Sequence, residues 1–167
     1  GKVRDVHTET VKTQYQSAPA LDSVNWRYLP ESNEFLWFSQ KSDWGHLYLH
    51  DLATGKEKRQ ITSGQWNVAQ IGHLDTASRT LWFRGVGRES GRDPYFVHYY
   101  KVGLDGGDVQ LLTPENANHA ITVSKDGKRF VDVVSTIDTA PVVLVRDADG
   151  KQLAELARTD LSRLKAA

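Results

Sequence analysis

The sequence predicts an all-β fold, a partial β-propeller of about three four-stranded antiparallel blades preceded by strands of another blade, and three observations predict it. A turn-then-strand phrase occurs three times: Pro30 to Glu34 before Phe35-Leu36-Trp37-Phe38, Leu74 to Arg79 before Leu81-Trp82-Phe83, and Ser124 to Arg129 before Phe130-Val131-Asp132-Val133-Val134. The spacing is 45 to 49 residues, the length of a four-stranded propeller blade. Each phrase has the same neighbours, one short strand before it and two after, the last two joined by a glycine-bearing turn.

In chain order, residues 1–17 carry Val3, Val6, Thr8, Thr10 and Val11 and read as closing strands of a preceding blade. The first full blade, 18–64, takes strands at 24–29, 35–38, 46–51 and 58–61, with Thr54-Gly55 turning the last pair. The second, 65–115, takes strands at 68–74, 81–83, 97–102 and 109–112, turned by Asp105-Gly106-Gly107. The third, 116–158, takes strands at 120–123, 130–134, 142–146 and 152–156, turned by Asp149-Gly150. From Asp160, an N-cap residue type, Leu161-Ser162-Arg163-Leu164 reads as a short helix in an exit segment over 159–167. One blade cannot bury both faces of its sheet, and stacking face to face does. A sandwich has no reason to repeat a Trp-Phe phrase at constant spacing. Three blades and a part do not close a ring of four to eight, so the end sheets are expected to need cover from missing blades or from self-association through open edges.

Composition narrows the partners. With 39% hydrophobic and 25% charged residues over 167 positions, the chain has the balance of one folded domain or a piece of one. Lys+Arg and Asp+Glu both number 21, so no basic face is available for nucleic acid or an anionic membrane surface. No run approaches the roughly 18 apolar residues of a membrane helix. Cysteine is absent, which excludes disulfides, thiolate zinc sites and a cysteine nucleophile and leaves both the cytoplasm and an oxidising compartment open. A Gly1 start without methionine predicts an excerpt of a longer product.

The motifs that could carry chemistry read as structure. His46 and His50 flank Leu47-Tyr48-Leu49; on a strand their rings stand roughly 13 Å apart, too far to share a metal. His7, His73, His98 and His119 occur singly. Gly85 to Gly91 resembles a dinucleotide loop, but Asp93-Pro94 and an aromatic strand follow in place of a helix. Asp147-Ala148-Asp149-Gly150 lacks the ligand spacing of a calcium loop, with Val145 and Leu156 where carboxylates are needed. None of the eleven serines sits in Gly-x-Ser-x-Gly. No cofactor, metal or catalytic residue is therefore expected. Trp26, Trp37, Trp44, Trp66 and Trp82 follow the repeat and are expected between blades, with Trp44 and Trp66, beside turns, the most exposed.

Asp43-Trp44-Gly45-His46-Leu47-Tyr48-Leu49, then Thr54-Gly55, then Arg59 to Trp66, resembles the N-terminal propeller of the dipeptidyl peptidase IV branch of the prolyl oligopeptidase family. His119, Ser124-x-Asp126-Gly127 and Pro141 continue the resemblance in order. It marks Asp43, Trp44, Gly45, His46, Tyr48, Gly55, Trp66, His119, Asp126 and Gly127 as structural signature positions. In that family an eight-bladed propeller caps a downstream α/β-hydrolase domain, so the resemblance implies a noncatalytic segment of a periplasmic or secreted serine exopeptidase that removes N-terminal dipeptides after proline or alanine. The family anchors the peptide amine on two adjacent glutamates, and this sequence has no adjacent acidic pair. The loop with Arg84, Arg88, Glu89, Arg92 and Asp93 is expected to face the substrate chamber or a partner. The competing reading is a free-standing propeller scaffold that binds proteins or glycans.

Overall fold

The structure, a computed structural model, describes residues 3–12, 15 and 25–162. Among them, twelve strands form three four-stranded antiparallel sheets, each running through four consecutive strands. The first holds β1 (Arg27–Leu29), β2 (Glu34–Ser39), β3 (His46–Asp51) and β4 (Glu57–Gln60). The second holds β5 (Asn67–Asp75), β6 (Thr80–Val86), β7 (Val97–Gly103) and β8 (Gln110–Leu111). The third holds β9 (Asn118–Val123), β10 (Arg129–Ser135), β11 (Val142–Asp147) and β12 (Gln152–Arg158). Each is the four-stranded meander that the repeat predicts. No helix among the described residues is long and apolar enough to cross a membrane.

Short polar turns set the register. Asp51, Asp75 and Asp147 each turn a carboxylate oxygen back onto the next turn's amides, at Thr54 (2.8 Å), Ala77 (2.9 Å) and Asp149 (3.0 Å). In the first hairpin of the first two blades, Asn33 and Arg79 take the left-handed conformation with φ of 51° and 52°. The hairpins place Phe35 opposite His50, Trp37 opposite Tyr48, Phe83 opposite Tyr100 and Asp132 opposite Leu144.

The strand period of two decides which blade each side chain serves. On β6, Leu81 and Phe83 join Leu29, Leu36, Phe38 and Leu47 in the core between the first and second sheets. Trp82, between them in sequence, points the other way and packs with Tyr99, Leu112, Ile121 and Phe130 against the third. Tyr100 and Tyr99 of β7 divide likewise. The middle sheet is thus apolar on both faces, and each large apolar side chain buried there contributes about 1.5–3 kcal/mol. The fourth strands β4 and β12 are exposed along their whole lengths.

Residues 3–12, expected to hold closing strands, carry no strand and lie over a face of the first sheet, against side chains of β2 and β3. Arg4 donates to the carbonyls of Leu52 (2.8 Å) and Ala53 (3.1 Å), and Glu9 accepts from Trp37 Nε1 (2.7 Å) and from the Ser39 hydroxyl. A Cβ on Gly55 would meet the Val6 carbonyl oxygen at 1.9 Å. The same turn glycine in the next two blades likewise approaches the blade before it: a Cβ on Gly106 would stand 2.9 Å from the Arg59 guanidinium of β4, and one on Gly150 2.5 Å from the Leu112 carbonyl oxygen just beyond β8. The segment therefore takes, beside the first blade, the station that the outer part of each blade takes beside its successor.

Trp44 is 36% exposed as expected, but Trp66 is only 5% exposed. Its ring sits 6.0 Å from both Phe83 and Tyr100 and 5.1 Å from His46, and its indole N–H reaches the Ser63 carbonyl at 2.7 Å. The turn that looked like an exit to solvent folds the indole back between the first two blades. Trp26, expected between blades, is 46% exposed. Asp160 accepts the Ser162 amide at 2.8 Å, as an N-cap does. The remainder of the expected helix, from Arg163, and the expected strand start at Val24 lie outside the described residues.

Candidate functional site

A buried group of ionisable side chains lies in the third blade, on the face that meets the second. His119 of β9, Asp132 of β10 and Arg146 of β11 are diagonal neighbours across the sheet, within reach of long side chains. Asp132 Oδ1 accepts from His119 Nδ1 at 2.9 Å and its Oδ2 from Arg146 Nε at 2.9 Å, with no side-chain exposure at either His119 or Asp132. Arg146 also donates to Glu115 Oε1 (2.6 Å) and to the Gly150 carbonyl (3.1 Å). Glu115, His119 and Asp132 could in principle ligate a metal together, their ligand atoms lying within 4.8 Å of one another. The Arg146 guanidinium already holds an oxygen of each carboxylate, and a dication would have to displace that charge. The cluster is an ion-pair network that ties three strands to the linker before β9. It is not a hydrolytic triad either, because the outer nitrogen of His119 faces the Glu115 carbonyl oxygen at 3.3 Å in place of a hydroxyl nucleophile.

Sequence reasoning missed this network, although a signal was present. Asp132 interrupts the apolar run Phe130-Val131-Asp132-Val133-Val134, and a carboxylate inside an apolar strand requires a buried partner.

Two further histidines do one job in successive blades. His46 Nδ1 meets the Thr62 hydroxyl at 3.0 Å while the same hydroxyl oxygen accepts the Leu47 amide at 3.1 Å. In the second blade His98 Nδ1 meets the Thr113 carbonyl at 3.1 Å and the Thr113 hydroxyl oxygen accepts the Tyr99 amide at 2.9 Å. Each pair fastens the third strand to the chain leaving the fourth. His50 instead bonds the Gly55 carbonyl at 3.1 Å. Burial, partly offset by contacts with the carbonyls of Gly64, Gly55 and Thr113, holds His46, His50 and His98 respectively below the ordinary histidine range.

The other signature positions build turns. Asp43 takes φ 69°; the Gly45 amide donates to Asn67 Oδ1 at 2.7 Å, and a Cβ there would strike the Phe38 ring at 2.5 Å. Tyr48 donates to the Ser42 hydroxyl at 3.1 Å. Asp126 accepts from Ser124 Oγ at 2.7 Å and from the Lys128 amide at 3.1 Å, and Gly127 packs against the His73 ring. Gly45, His46 and Trp66 gather at the boundary of the first two blades, Tyr48 lies beside Ser42 and Lys41 on the opposite face from Leu47, and His119, Asp126 and Gly127 belong to the third blade.

Of the five charged residues at the β6–β7 loop, four turn inward. Arg84 donates to the Ile121 carbonyl. Arg88 pairs with Glu89 (2.9 Å), donates to the Val109 carbonyl (3.3 Å) and lies over the Tyr100 ring at 5.4 Å. Glu89 accepts the Tyr100 hydroxyl at 3.2 Å, and Arg92 donates to the Glu115 carbonyl at 3.2 Å. Only Asp93 is exposed, its carboxylate capping the Tyr95 amide at 2.9 Å. Tyr95, unnoticed in the sequence, is 87% exposed at the tip.

Residues 2–141 match the family described as the dipeptidyl peptidase IV (DPP IV) N-terminal region. The chain is 31% identical over 98 residues to dipeptidyl peptidase 4 of Arthroderma otae, a match that covers 56% of this chain and 12% of that protein. The structure of Porphyromonas gingivalis dipeptidyl peptidase 4 is similar with a TM-score of 0.65 at 27% identity, over 81% of this chain and 18% of that one. A putative dipeptidyl aminopeptidase IV from Bacteroides ovatus shares the fold, with a TM-score of 0.63 at 23% identity over 77% of this chain and 20% of that one. The chain thus spans less than a quarter of the length of these relatives.

Proposed function

Because the chain belongs to the dipeptidyl peptidase IV N-terminal region family, we propose that it is a noncatalytic propeller segment of a serine exopeptidase, walling the substrate chamber and limiting peptide entry. The parent enzyme would remove N-terminal dipeptides after proline or alanine, with its serine, aspartate and histidine on a downstream hydrolase domain. The observation that carries this reading is the use made of the buried polar groups: Glu115, His119, Asp132 and Arg146 spend their hydrogen bonds on one another, as groups that hold blades together do. The station of residues 3–12 beside the first sheet, held there without strand pairing, supports a preceding blade on that side. Export to the periplasm or medium, and self-association through uncovered blade faces, belong to the same proposal.

The β6–β7 loop offers the test. Its inner charges brace it and its tip presents Asp93, Pro94 and Tyr95, which suits a surface that meets the chamber or a partner. Shortening 90–95 in the parent enzyme should leave hydrolysis of a chromogenic dipeptide intact and change either the preference for short over long peptides or the dimer content. Unchanged behaviour in both assays overturns the role given to the loop.

A further inference from the structure

The second and third blades meet at a pair of buried histidines. The rings of His98 on β7 and His119 on β9 lie 5.1 Å apart, and His98 is 2% exposed. Its Nδ1 faces the Thr113 carbonyl, an acceptor, so Nδ1 carries the proton of the neutral ring. Its Nε2 is buried without a hydrogen-bond partner among the described residues, as is Glu115 Oε2.

We propose that His98 is an acid-sensitive catch between the second and third blades, whose neutral ring lets the 87–96 loop and the 113–118 linker pack and whose protonation loosens both. The incoming proton can go only to Nε2, which has no acceptor. The charged and titratable groups around it are set against a cation. His119 faces it from β9 and Arg92 from the β6–β7 loop, and both oppose a further positive charge. Tyr100, on its own strand, stands 6.4 Å away ring to ring. Behind His119, Asp132 is committed to His119 and Arg146. The two carboxylates that could answer are Glu89, held by Arg88 and Tyr100, and Glu115, held through Oε1 by Arg146. For either to reach Nε2 the loop or the linker must shift, and Arg92, which bonds the Glu115 carbonyl, couples the two. Burial keeps the folded-state ring neutral below the ordinary value, so an opened state binds the proton first and is favoured as pH falls.

Hydrogen exchange of the 167-residue chain between pH 7.5 and 5, corrected for intrinsic amide rates, reads this directly. Protection at 97–99 and 113–119 should fall by up to about tenfold per pH unit below about pH 6.5, while His98→Asn, which keeps a donor for Thr113 and cannot titrate, should remove that slope. Protection independent of pH in the native chain, or the same slope in the variant, overturns the proposal. Should the variant fail to fold, ring NMR of the native chain decides: His98 neutral at pH 6 supports the catch, and His98 titrating at the ordinary value overturns it.

Discussion

Arg79 of the second blade bonds Glu34 of the first at 2.9 Å, so the turn of one blade neutralises a carboxylate buried in its neighbour. Glu34 is 3% exposed in its side chain and also holds Lys58, while Arg79 forks onto both oxygens of Asp105. Burial works against the Glu34 charge, but the hydrogen bonds from Lys58, Ser32 and Arg79 outweigh it and hold the carboxyl below its ordinary range. Replacing Arg79 with methionine should cost about 1–3 kcal/mol, because the buried acceptor loses a charged donor while Lys58 keeps part of the compensation. Urea unfolding checks this, and no change in midpoint would show the latch to be idle.

Gly150 and Gly91 both have positive φ, 85° and 75°, but only Gly150 is crowded: a Cβ there would stand 2.5 Å from the Leu112 carbonyl oxygen, whereas nothing lies within 4 Å of Gly91. Alanine at Gly91 should cost about 1 kcal/mol for backbone strain alone. Gly150→Ala should cost more, about 2–4 kcal/mol, because the backbones of two blades must also separate. Equal midpoints for the two variants would mean that the blades do not meet there as described.

Trp66→Ala should destabilise by about 3–5 kcal/mol, since it empties a site bounded by Phe83, Tyr100 and His46. Trp44→Ala, at a partly exposed turn, should stay within about 1 kcal/mol. Thermal denaturation separates the two, and equally small losses for both would restore the expectation drawn from sequence, that both tryptophans are exposed.

The burial of Trp66 marks where the sequence stops being legible. The blade count, the meander order and β3 at 46–51 follow from a repeat of local patterns, and the structure reproduces them. Whether a tryptophan beside a turn points in or out depends on the neighbouring blade, which local pattern does not encode. The partners of Asp132 lie 13 and 14 residues away, on strands whose alignment only the folded register supplies. Their isolation in sequence left His119 and Arg146 looking unrelated. Likewise Arg84, Arg88, Glu89 and Arg92 look like a charged surface in sequence and are braces in the fold.

Arg146→Met should be among the most damaging single changes, about 3–5 kcal/mol, because it leaves Asp132 buried with only His119 and frees Glu115. The same guanidinium predicts indifference to metals: neither zinc nor a chelator should move the melting temperature of the native chain, since Arg146 already holds one oxygen of each carboxylate and its charge opposes a dication. A rise in melting temperature with zinc would show that the metal displaces Arg146.

The pH dependence of global stability should separate into two windows. His46, His50 and His98 are each held below the ordinary histidine value, first by burial. Their unfolded forms therefore take up protons first as pH falls through about 6.5, and stability, full above that value, declines until the folded rings also protonate. Each contributes a slope of at most about 1.4 kcal/mol per pH unit. Glu34 has the opposite charge and a lowered value, so its contribution is complete above the ordinary carboxylate range and is lost only as pH falls through and below about 4.3. Urea midpoints from pH 8 to 3 should show a decline beginning near neutrality and a second one below about pH 4.3. Glu34→Gln should flatten the second and leave the first. A stability profile level between pH 8 and 5 would mean that the buried rings bind protons as readily folded as unfolded.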